Sequence, residues 1–96
     1  MSDLEHLNDS RVEKALIYLS STDEEHAMLS GEVKHREEAI KQAKAHSFLL
    51  SDGTVAEREA KALDSTSYKK AVDAWVEVYQ EFKIMDNKRQ HEIRIT

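Results

Sequence analysis

The sequence predicts an all-α protein, a long antiparallel helical hairpin with a short N-terminal helix and a short connecting helix, in coiled-coil or bundle packing. Three observations predict it. The 96 residues include no proline and two glycines, too few turn formers for a set of strands and hairpins. Charged residues make up 34% of the chain, the profile of long helices with solvated faces. Apolar residues recur at alternating steps of three and four, the rhythm of a helix that buries one stripe against a partner.

The first element is read over residues 3–19, where Leu4, Leu7, Val12, Ala15, Leu16 and Leu19 keep mostly helical spacing. "SSTDEEH" then reads as a break. Thr22 and Glu25 have the spacing of a capping box, in which the hydroxyl accepts from the amide three residues on, and Asp23 and Glu24 favour the positive end of a new helix. From there Leu29, Val33, Ile40, Ala43, Ser47 and Leu50 form a seam, with Arg36 as its one long charged member. Gly31 sits inside this helix at a cost of about 1 kcal/mol relative to Ala.

Gly53 ends the second helix by supplying a backbone conformation in which a Cβ would clash. Thr54 and Glu57 form another capping box, so a short helix follows over 55–63. One glycine, with no second glycine and no Lys-Ser/Thr pair, is a corner and not a phosphate loop. "LDSTS" makes the next break. The last helix is expected from about residue 67 to near the terminus, with Tyr68, Val72, Trp75, Tyr79 and Phe82 in one row and Ala71, Val78 and Met85 widening it. Two rods of matched length suit an antiparallel hairpin.

Residues 1–96 are read as a single helical domain, one that buries only roughly 60–65% of the surface its unfolded chain exposes. Its core is thin. Two long seams exceed what such a core covers, so a homo-oligomer, with a dimer favoured, is expected. Leu29, Val33, Ile40, Tyr68, Val72, Trp75, Tyr79 and Phe82 are the candidate core or interface residues.

Absence of cysteine excludes disulfides, thiolate nucleophiles and Cys-based zinc sites. No apolar run reaches the roughly 18 residues of a membrane span, and the opening "MSDLEHLNDS" lacks the pattern of a signal peptide, so a cytoplasmic protein without membrane partners is expected. The formal net charge of −5 disfavours a general grip on phosphate backbones. Acidic residues crowd the first part and Lys83, Lys88, Arg89 and Arg94 the end, which favours an antiparallel pairing of the two ends. Lys88, Arg89 and Arg94 are the candidate nucleic-acid contacts; binding through them is expected to be weak.

Asp3 and His6, and Glu32 and His35, have the i, i+3 spacing of a carboxylate and an imidazole on one helix face. Their polar neighbours make them solvated surface, and no metal or other cofactor is expected. The carboxylate runs Asp23-Glu24-Glu25 and Glu37-Glu38 lie at a cap and on an exposed face, and the serine clusters are cap chemistry without a nucleophile elbow. Neither points to an enzyme. The aromatic row of the last helix reads as core or interface, or alternatively as a platform for stacking single-stranded nucleic acid.

The "GTVAERE" corner, the Ser-x-x-Tyr helix start at Ser65 and Tyr68, and the long charged helix that follows resemble small helical proteins of tailed bacteriophages and prophages. The resemblance covers most of the chain and contains no catalytic motif. It implies an accessory role in recombination or counter-defence, with a host or phage protein as partner, in the host cytoplasm.

Overall fold

The computed structural model describes residues 3–96, with side chains from residue 9 onward. It contains three helices: α1 (Asp3–Leu50), α2 (Val55–Leu63) and α3 (Thr66–Ile95), and no strand among the described residues. α1 and α3 pack along each other as an antiparallel hairpin, and α2 folds back against the end of α1. The molecule measures 76 × 19 × 16 Å. Two helices side by side fill that cross-section, since each is about 10 Å thick with its side chains.

The corner forms as its local chemistry dictates. Gly53 has φ of 115°, and a Cβ built there would run into the Glu57 side chain. Thr54 caps α2 by accepting from the Glu57 amide at 3.2 Å, and Ser65 caps α3 by accepting from the Tyr68 amide at 3.3 Å. α1 has no basic residue in its last turn. Arg58 of α2 supplies one, donating to the Phe48 carbonyl at 3.2 Å while its guanidinium lies 4.3 Å from the Phe48 ring centre.

The expected break at residues 20–22, and with it the separate N-terminal helix, is absent: α1 is continuous through it. Thr22 caps nothing. Its hydroxyl donates to the Tyr18 carbonyl one turn back at 2.8 Å, as that of Ser21 does at 3.0 Å. The spacing explains the continuity. Val12, Ala15, Leu19, Thr22, His26, Leu29, Val33, Arg36, Ile40, Ala43 and Ser47 are all buried or half-buried and alternate steps of three and four without interruption. The rods are also unequal, α1 having 48 residues and α3 30. α2 makes up part of the difference by packing on the end of α1 ahead of α3.

Candidate functional site

The seam between α1 and α3 changes character along its length. Next to the corner it is apolar and aromatic. Val33 and Val78 are buried, and Leu29, Ile40, Tyr68, Val72, Trp75, Tyr79 and Phe82 are half-buried. Trp75 and Tyr79 stack with ring centres 4.8 Å apart, and the indole N–H of Trp75 is sealed from solvent without an acceptor. Ser47 closes this end by donating to Ser65 at 3.0 Å.

Toward the free ends the same stripe becomes polar. Arg89, only 9% exposed, donates to the Leu19 carbonyl at 2.8 Å, to the Thr22 hydroxyl at 2.6 Å and to Asp23 at 3.2 Å. Arg11 donates to Glu92 at 2.9 Å, and its second nitrogen lies 2.9 Å from the other carboxylate oxygen. This hydrogen bond, with smaller attractions from the Arg11, His91 and Lys88 charges, holds the Glu92 carboxyl below its ordinary range against the opposing effect of burial. The Arg11 guanidinium is shifted upward by the same bond. His26 meets Asp86 at 3.0 Å and stacks on Phe82 with ring centres 5.2 Å apart.

The basic end is therefore not the free cluster that the sequence suggested. Arg89 lies inside the seam with its donors directed at α1, and the Lys88 ammonium sits 4.6 Å from the centre of the Tyr18 ring. Among the described residues, Arg94 alone of the three is exposed without either kind of contact. Glu32 bonds Arg36 at 2.8 Å, not His35, and the side chains of Asp3 and His6 lie outside the described residues. Among the described residues no three His, Asp or Glu side chains form a group able to hold a metal ion. No helix among them is long and apolar enough to cross a membrane.

Among the hairpin's surface features are two open grooves that meet. One, of about 370 Å³, has an apolar lining of Tyr18, Leu29, Ile84 and Met85, with Glu25, Glu81 and Lys88 beside them. The other, of about 300 Å³, shares Leu29 and Glu81 and adds Glu32, Arg36, Ala74, Glu77 and Val78. Tyr18, Glu25 and Glu32 each precede a seam residue of α1, and Ala74, Glu81 and Lys88 each precede one of α3. Antiparallel pairing puts such positions together on one flank. Leu16, Val72, Tyr79 and Ile93 each follow a seam residue and so belong to the opposite flank, where Leu16 and Ile93 are 54% and 46% exposed.

Sequence reasoning missed the interior role of Arg89, Thr22, His26 and Glu92, because it read a break at Thr22 and followed the stripe of the last helix through its apolar residues, to Ile93. The signal was the unbroken three-four spacing itself. Comparison with protein-family models, curated proteins and solved structures finds no match to this chain.

Proposed function

We propose that the chain is a non-enzymatic accessory protein that works by self-association, as a homodimer, and by binding a host or phage protein. The observation that carries this reading is the thinness of the hairpin: among the described residues no large side chain is fully buried, and the buried apolar set is Ala15, Val33, Ala62 and Val78. A second copy on the flank of Leu16, Val72, Tyr79 and Ile93 adds the missing layer and turns the hairpin into a bundle with coiled-coil packing. The resemblance to small phage proteins supports a place in phage recombination or counter-defence, in the host cytoplasm.

The alternative reading, single-stranded nucleic-acid binding, has the stacked Trp75 and Tyr79 in its favour. Against it stand the burial of Arg89 and the net charge of −5. Sedimentation over a concentration series tests the leading reading: a dimer at micromolar concentration is expected, and Leu16→Asp with Ile93→Asp dissociates it. A monomer at high micromolar concentration rejects it. Tight binding of labelled single-stranded DNA at physiological salt, lost on Trp75→Ala, establishes the alternative instead.

A further inference from the structure

We propose that the two joined grooves take a basic amphipathic helix of a partner protein, laid along α1 and α3 as a third rod. This deepens the partner-binding half of the function proposed above and rests on it. The apolar part of the site is accessible: Ile84 is 72% exposed, and Met28, next to the groove residue Leu29, is 69% exposed. Met85 adds a second flexible thioether, a side chain that adapts to the shape of an incoming apolar face.

Charge selects the occupant. The joined grooves carry the four carboxylates of Glu25, Glu32, Glu77 and Glu81 against the two cations of Arg36 and Lys88. Arg36 is taken by Glu32, and Lys88 lies over Tyr18. Glu25, Glu77 and Glu81 enter no ion pair among the described residues. A second copy docked here through a two-fold axis sets this acidic surface against itself, and nucleic acid or an anionic membrane meets the same repulsion. Lysines or arginines flanking an apolar stripe are attracted.

The length of the site fits a helix. From Tyr18 to Arg36 the grooves run roughly 27 Å along α1, the length of a helix of about 18 residues. A straight furrow between two helices is matched by side chains at steps of three and four, the spacing with which helices dock in grooves.

The probe is a fluorescein-labelled model peptide of that length with leucines on one face and lysines on both flanks. Its control keeps the leucines and replaces every lysine by glutamate. Anisotropy titration of the full chain at physiological salt is expected to give micromolar binding of the lysine peptide and binding of the glutamate peptide weaker by about tenfold or more. Ile84→Asp abolishes binding with the helical circular dichroism intact, and Glu77→Lys with Glu81→Lys reverses the preference between peptides. Equal binding of the two peptides, no binding of either, or binding unchanged by Ile84→Asp overturns the proposal. Sedimentation of the same variants separates the two readings. A chain that stays monomeric yet binds the lysine peptide refutes the homodimer and leaves the groove assignment standing, whereas a dimer dissociated by Ile84→Asp assigns the groove to a second copy and overturns it.

Discussion

The corner half of the hairpin and its open half use the same spacing of side chains to different ends. Near the corner, Val33 and Val78 are buried and Trp75 stacks on Tyr79. Burial there removes apolar surface from water, which stabilises at about 25 cal/mol per Å² without specifying direction. Toward the free ends, Arg89, Glu92, His26 and Asp86 take the equivalent positions or their neighbours. Buried polar contacts of this kind lose hydration and add little net stability, yet they have fixed donor and acceptor positions across the two helices. The apolar half thus supplies most of the adhesion between the helices, and the polar half is expected to fix their register.

Substitutions can break that comparison, and Trp75→Ala has the largest expected effect. It should cost about 3 kcal/mol in urea unfolding, the low end for a truncated aromatic because the residue is half-buried. A loss below about 1 kcal/mol contradicts a stabilising role for the corner half. Arg89→Ala should cost about 2 kcal/mol by removing charge-assisted hydrogen bonds to α1. Arg89→Met should cost less, since it restores apolar bulk. If the polar half fixes register, distance measurements between spin labels on α1 and α3 show a broader distribution for Arg89→Met than for the parent chain.

Gly53→Val should cost about 1–2 kcal/mol, because valine resists the positive φ and its Cβ meets Glu57. An unchanged melting temperature would refute the positive-φ turn at Gly53. Gly31, by contrast, has nothing within 4 Å of an added Cβ. Gly31→Ala is expected to stabilise the chain by about 1 kcal/mol through helix propensity. A loss of stability there, tracking protein concentration, would place Gly31 against a second copy.

Acid should have the smallest effect, confined to the open half. The Glu92 carboxyl is held below its ordinary range by the Arg11 hydrogen bond, so its contribution is complete above the unfolded value of about 4.3 and is lost as pH falls through the folded one. Arg11 is partly exposed, which limits the contribution through solvent screening. The urea midpoints of the parent and Arg11→Ala should differ at about pH 6 and converge as the pH falls below the lowered folded value of Glu92. A difference that persists in acid would assign Arg11 a packing role instead.

The helical class and the corner were legible in the sequence because they depend on neighbours along the chain. Gly53 supplies the positive φ, and Thr54 and Ser65 cap their helices by accepting from amides three residues on. The apolar face of α3 was legible for the same kind of reason: periodicity is a local property. The groove was not, since Tyr18 and Leu29 meet Ile84 and Met85 only when the two helices align.

Thr22 marks the boundary between the two kinds of information. By itself it fits a cap or a helix interior equally, and Glu25 three residues later favours the cap. The folded chain places Arg89, 67 residues away in sequence, against its hydroxyl and against the Leu19 carbonyl. α1 must run straight through this point for the stripe to stay facing α3. Sequence alone determined that the chain is helical and where its corner lies, because caps and glycine act within a turn. Only the tertiary structure decided that α1 is one helix and that Arg89 is interior, because the carbonyl and hydroxyl that accept from Arg89 in the seam belong to the other arm of the hairpin.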